Sequence, residues 1–119
     1  MEVPREPLYA RHAAAFLIIA LSLAAIDGAR AAGDAAAGRK KAQLCQACHG
    51  VDGLSKIPEA PSIAGDSEFY LIKQLKAFRS GQRTQEQMSI VAQQLTDEDI
   101  ANLAAWYSSI QVTVKMPGQ

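Results

Sequence analysis

The apolar residues of this chain change pattern near residue 30. Ahead of that point they form one unbroken block, AAAFLIIALSLAAI at 13–26, preceded by Arg5 and Arg11 and closed by Asp27 and Gly28. Beyond it they recur at helical spacing among polar residues, and no stretch alternates as a half-buried strand does, so the predicted class is all-α. A first helix is predicted from Asp34, a good N-cap, through AAAGRKKAQLCQAC at 35–48, a run rich in strong helix formers. A second opens at Asp66 and carries Leu71, Leu75 and Phe78 at i, i+4 and i+7, with Ile72 beside them, until Gly81 ends it. A third starts at Thr96 as N-cap, places Asp97, Glu98 and Asp99 where the helix dipole favours anions, and buries Ile100, Leu103, Ala104 and Tyr107, with Trp106 beside that stripe. The segments between, GVDGLSKIPEAPSIAG at 50–65 and QRTQEQMSIVAQQL at 82–95, read as long loops, the second polar around a single methionine. The tail VTVKMPGQ at 112–119 reads as a frayed extension.

The early block is shorter than the roughly 20 apolar residues that a spanning helix needs. Basic residues before it and the small-x-small triplet Ala29-Arg30-Ala31 after it give the layout of a secretory signal peptide. Residues 1–31 are therefore expected to be a leader cut after Ala31, with one domain over 32–119 and no membrane span once the leader is gone; an uncleaved anchor is the alternative. His12 belongs to that leader. The remaining 88 residues carry few aromatics and two long irregular segments, a poor endowment for an apolar core, which implies that something other than side chains fills the middle.

Twelve Lys/Arg balance twelve Asp/Glu, and nothing in the composition argues for nucleic-acid binding. The domain over 32–119 holds nine of each sign, unevenly spread: Arg39 to Arg83 has eight cations against four anions, whereas beyond Thr84 only Lys115 faces Glu86, Asp97, Glu98 and Asp99. Either a dipolar surface or ordinary solvated helix faces would give that order.

The chemistry is concentrated in CQACHG at 45–50, which holds the only two cysteines of the chain with a histidine directly after the second. Structural zinc needs four ligands, and Cys45, Cys48 and His49 supply three. A thiol–disulfide exchange pair normally accompanies a strand-helix-strand pattern, which is absent, and a disulfide across one helical turn would close almost no loop. C-x-x-C-H is the spacing of covalent haem attachment: cysteines three apart lie on nearby faces of one turn, each able to reach a vinyl group, and the next residue brings its imidazole under the iron. Cys45 and Cys48 are thus the expected thioethers and His49 the expected proximal ligand. For the opposite axial position the candidates are Met88, alone in its polar segment with no apolar stripe to join, Met116 near the chain end, or no protein ligand.

Over CQACHG, PSIAG at 61–65, LIKQLKAFRSGQR at 71–83, Met88 and LTDEDIANLAAWY at 95–107, the domain resembles a small bacterial monohaem class I cytochrome c. The resemblance implies a class I cytochrome c fold, three to four helices wrapped around one haem c. It also implies a bond from the free ring N–H of His49 to a proline carbonyl, that of Pro61, with Pro58 as competitor, and a crossing of first and last helices made by Ala37 or Gly38 with Trp106 or Tyr107. Arg83 and Tyr70 become candidates for the haem propionates. Because only one C-x-x-C-H occurs, two-haem relatives are excluded as an intact match.

With His49 and Met88 both on the iron, no position is left for oxygen or substrate, and what the resemblance implies is a periplasmic carrier of single electrons rather than an enzyme. Its partners would be redox proteins such as a membrane oxidase, a reductase or a periplasmic dehydrogenase, met through small, short-lived interfaces. Lys40, Lys41, Lys56, Lys73, Lys76 and Arg79 are candidates for steering an acidic partner. The alternatives are the haem c subunit of a periplasmic dehydrogenase complex, and a haem sensor with a displaceable sixth ligand.

Overall fold

In the computed structural model residues 32–118 are described, so the expected leader at 1–31 and its cut lie outside the described residues. Helix α1 spans Ala35–Lys41; Asp34 caps it as predicted, its Oδ1 accepting from the amides of Ala36 at 2.7 Å and Ala37 at 3.2 Å. The predicted single helix through Cys48 is instead three pieces. After α1 the chain tightens into a 3₁₀ turn at Ala42–Leu44 and then forms the short helix α2, Gln46–His49. Residues i and i+3 eclipse in a 3₁₀ turn, which brings Ala42 and Cys45 to one side; Ala42 is fully buried in the core and Cys45 packs against it. Tertiary burial thus overrides the uniform helical propensity of the run and re-aims the first cysteine inward.

Helix α3, Glu68–Ser80, begins one residue later than predicted because Ser67, not Asp66, is the cap, with its Oγ accepting from the Tyr70 amide at 3.2 Å. Gly81 ends it at φ 78°, a left-handed position. The segment expected to be a loop contains a fourth helix, α4, Glu86–Gln93, which buries Ala92 and leads into buried Leu95. It escaped the pattern reading because none of the usual N-cap residues stands at its start; Gln85 performs that role. Helix α5, Asp97–Ser109, starts as predicted at Thr96. There a capping box pairs the Asp99 amide with Thr96 Oγ1 at 3.0 Å and the Thr96 amide with Asp99 Oδ2 at 3.1 Å. No strand occurs among the described residues, none of whose helices is long and apolar enough to cross a membrane.

Ile100, Leu103, Ala104 and Tyr107 of α5 form the centre of the core with Ala42, Leu71 and Leu95, and Ile72, Leu75 and Trp106 pack around them. Helix α1 crosses α5 at Gly38, where an added Cβ would lie 1.9 Å from the Asn102 carbonyl oxygen and 2.9 Å from Trp106 Cβ. Of the two candidates for this crossing, Gly38 is therefore the closest approach. The crossing is reinforced at its rim by the Asp34 amide on Asn102 Oδ1 at 2.7 Å, the Arg39 guanidinium 5.7 Å from the Trp106 ring centre, and the Lys41–Asp99 ion pair at 2.8 Å. On the other side Arg79 ties α3 to the entry of α5, donating to the Leu95 carbonyl at 2.9 Å and pairing with Asp97.

These pairs also settle where the candidate steering cations go. Lys41 is held by Asp99, Lys56 by Asp52, and Lys76 and Arg79 both by Asp97, leaving Lys40 and Lys73 exposed and without an ion pair among the described residues. Much of the imbalance seen along the sequence is thus cancelled in space.

Two expectations follow. Gly38→Ala should cost about 3 kcal/mol or more in denaturant unfolding, because backbone must move to admit the methyl. Gly81→Ala, which meets nothing within 4 Å, should cost only about 1 kcal/mol for its left-handed backbone. Equal losses would refute the close-contact reading of Gly38. The Asp99 carboxyl is held below the ordinary carboxylate range by Lys41 first and the Thr96 amide second. A depressed folded pKa stabilises above the unfolded value, roughly 4, and that contribution disappears as pH falls through the folded value. The stability gap between wild type and Lys41→Met should accordingly be present at neutral pH and close below about pH 4; a gap unchanged into stronger acid would exclude it.

Candidate functional site

Helix α2 is barely one turn long, and that turn organises the site. The amides of Cys48 and His49 both donate to the Cys45 carbonyl, at 3.3 and 2.9 Å, which sets the two thiols and the imidazole on one turn. Both cysteines are free and half-buried, and His49 is buried. Gly50 then turns the chain away at φ 70°, where a Cβ would meet Asp52 Oδ1 at 2.1 Å.

The loop that follows folds back over this turn through its own polar groups. The Lys56 amide reaches the Cys48 carbonyl at 2.8 Å, and the Ile63 and Ala64 amides share the Gly53 carbonyl at 2.8 and 3.1 Å. Ser55 is fastened to Ser62 Oγ at 3.0 Å through its amide. That folding delivers the Pro61 carbonyl to His49, whose Nδ1–H donates to it at 2.8 Å. A carbonyl can only accept, so the proton sits on Nδ1 and the lone pair of the neutral ring is on Nε2.

From the opposite side the last helix holds the exit of the same turn. Tyr107 donates its hydroxyl to the Gly50 carbonyl at 3.0 Å, and Trp106 Nε1 donates to the Val51 carbonyl at 2.8 Å. The resemblance offers Trp106 or Tyr107 as the aromatic of the helix crossing; that the polar tips of both would reach two successive carbonyls after His49 carries no sequence signal, since the contact spans more than fifty residues. Burial pushes the Cys45 thiol above its ordinary pKa, opposed in part by the neighbouring Tyr107 hydroxyl. Burial likewise raises the Tyr107 phenol, with Cys45 adding to the effect. A thiol kept protonated is a poor nucleophile, so Cys45 by itself is unreactive in this setting.

The remaining predicted residues lie on other elements. Met88 is the third residue of α4 and partly buried, on a helix that packs against α3. Met116 lies exposed in the tail. Arg83 is committed to α3, donating to Gln74 Oε1 at 2.7 Å with its guanidinium 4.5 Å from the Phe78 ring centre, and Tyr70 is exposed on α3.

The donor set fits a covalently held haem. It offers two unpaired thiols on one turn, an adjacent imidazole with Nε2 available, and large apolar side chains left facing solvent after His49 and after Met88. Leu54 is 50% and Ile90 60% exposed.

Comparison with known proteins agrees. The profile of the family described as Cytochrome c matches residues 35–111. The chain is 44% identical over 100 residues to cytochrome c4 of Pseudomonas aeruginosa, covering 84% of this chain and 49% of that protein. It is 51% identical over 81 residues to cytochrome c-554(548) of Halomonas halodenitrificans, covering 66% of this chain and 98% of that one. A more distant relative, 38% identical over 82 residues, is a thiosulfate dehydrogenase electron acceptor of Thiomonas intermedia, with 67% of this chain and 37% of that protein covered. Among solved structures, reduced recombinant cytochrome c4 from Pseudomonas stutzeri superposes with a TM-score of 0.64 at 40% identity, over 70% of this chain and 48% of that one. The chain thus spans about half the length of the cytochromes c4 it matches.

Tyr107→Phe keeps the ring in the core and removes only the hydroxyl, leaving the buried Gly50 carbonyl with the Gly53 amide at 3.2 Å as its remaining donor. It should cost about 1–2 kcal/mol in denaturant unfolding; a loss within about 0.5 kcal/mol would show that the bond is not needed.

Proposed function

Since the chain belongs to the cytochrome c family, with haem c as its cofactor and electron transfer rather than catalysis as its business, we propose that it carries single electrons in the periplasm using His49 and Met88 as axial ligands. The observation that carries this reading is the single turn on which buried His49, oriented by Pro61, lies beside two free cysteines. The haem, when bound, would supply one-electron redox chemistry. Everything else falls to the chain. Cys45 and Cys48 form the thioethers that keep the group attached after export, and the Pro61 carbonyl fixes the His49 ring and makes Nε2 a stronger donor. Met88 would hold the group with a soft thioether, which would favour the reduced state and disfavour binding of oxygen or other small ligands.

In this reading residues 1–31 direct export and are cleaved after Ala31, and the domain over 32–119 works without a membrane span. Transient docking to redox partners needs only a small interface, and the cations available to steer it are Lys40 and Lys73 rather than the whole set of six. A second reading is supported by the thiosulfate dehydrogenase electron acceptor among the relatives: the same domain would serve as the haem c component docked to a periplasmic dehydrogenase. Purifying the protein from its native host separates the two, since a carrier runs alone and a subunit runs with a second chain.

Reduced wild-type protein at neutral pH should show almost no uptake of carbon monoxide. Met88→Ala should bind it stoichiometrically and have a lower reduction potential in a redox titration. Wild type and variant taking up carbon monoxide equally well would overturn Met88 as a ligand.

A further inference from the structure

Helix α4 is anchored unequally at its two ends. Its C-terminal end runs into the core: Ala92 is fully buried, Leu95 is 5% exposed, and the Leu95 carbonyl is held by Arg79 at 2.9 Å. Its N-terminal end, which carries Met88, emerges from a stretch exposed continuously from Gly81 to Gln87. What holds that end is a reciprocal bracket. Gln85 Oε1 accepts from the Met88 amide at 2.7 Å, and the Gln85 amide donates to Ser89 Oγ at 3.2 Å.

Glutamine is a poor choice for this task. Its side chain has more rotamers to immobilise than serine or aspartate, which is why shorter residues dominate at helix starts. An eight-residue helix also has little stability of its own, so its first turn opens at small cost once its cap is gone. The backbone donor captured by the bracket is that of Met88 itself. A methionine side chain has three rotatable bonds and does not define its own direction. The persistence of its sulfur at one place therefore depends on where its Cα is held.

We infer that Gln85, with Ser89 as its second member, is a positioning residue for Met88, and that this bracket sets how readily an exogenous ligand displaces the methionine sulfur from the haem. The inference rests on the reading of Met88 as axial ligand. Both act through the first turn of α4, by the bonds that hold the Met88 amide and the Gln85 amide.

The experiment uses the holoprotein and titrates imidazole into the ferric form, followed by its absorption spectrum, in wild type, Gln85→Ala, Gln85→Ser, Met88→Ala and the double variant Gln85→Ala/Met88→Ala. Position 85 is exposed, so these variants test the bracket without disturbing the core. Loss of a cap predicts that Gln85→Ala binds imidazole about fivefold more tightly than wild type. Gln85→Ser, which restores a capping oxygen, should return to within about twofold of wild type. In the Met88→Ala background Gln85→Ala should change nothing, a result that a general effect on folding would not give. Unchanged imidazole affinity in Gln85→Ala, or an equal change with and without Met88, overturns the role of Gln85 alone. Met88→Ala binding no tighter than wild type overturns the ligand reading and the inference with it.

Discussion

The close passage of α1 over α5 at Gly38 is the constraint on which the rest is built. With 1.9 Å between a hypothetical Cβ and the Asn102 carbonyl oxygen, only a residue without a side chain lets the two backbones meet. That meeting places the end of α1, and hence the cysteine turn, directly against the stripe of α5. The same α5 then returns to the turn through Tyr107 and Trp106, which hold the carbonyls of Gly50 and Val51. The attachment turn is consequently clamped at its entrance by backbone packing and at its exit by two side-chain hydrogen bonds, although α2 itself is only four residues long.

A turn this short gains little from its own hydrogen bonds, and the loop after it supplies the missing order. Gly53, at φ 72°, lets the loop double back so that its carbonyl accepts from both Ile63 and Ala64. Pro61 is presented to His49 as a result. The long Gly/Pro-rich segment therefore has a structural purpose: it converts a flexible imidazole into one with a fixed tautomer and direction, the property a metal ligand requires. Burial of Cys45 in the same region and the hydroxyl of Tyr107 beside it extend this order from the histidine to the first thiol.

Electrostatics on this molecule are mostly local. Asp97 holds both Lys76 and Arg79, and Asp99 joins the Thr96 cap to Lys41, so that the three acids opening α5 serve the helix dipole, the capping box and the packing of α1 and α3 together. Cations used in this way are partly neutralised where they stand, whereas Lys40, Lys73, Arg39 and Arg83 are exposed and without an ion pair among the described residues. The crossing of first and last helices is tied by these pairs, whereas the start of α4 is held by the Gln85 and Ser89 side chains.

The sequence by itself determined the elements whose signals are local. CQACH announced its chemistry through spacing, Asp34 and Thr96 announced helix starts, Gly81 a helix end, and Ile100, Leu103, Ala104 and Tyr107 a buried stripe, because each depends on residues within a turn or two of one another. Helix α4 was illegible because its cap is a glutamine, and the break at Ala42–Leu44 because helix propensity does not register which side chain the core will claim. Only the tertiary structure decided that Pro61 rather than Pro58 meets His49, that Gly38 is the point of crossing, and that Tyr107 and Trp106 reach back to the turn after His49. Those are contacts between residues far apart in the chain, and their partners are chosen by the three-dimensional path of the backbone, which no local pattern encodes.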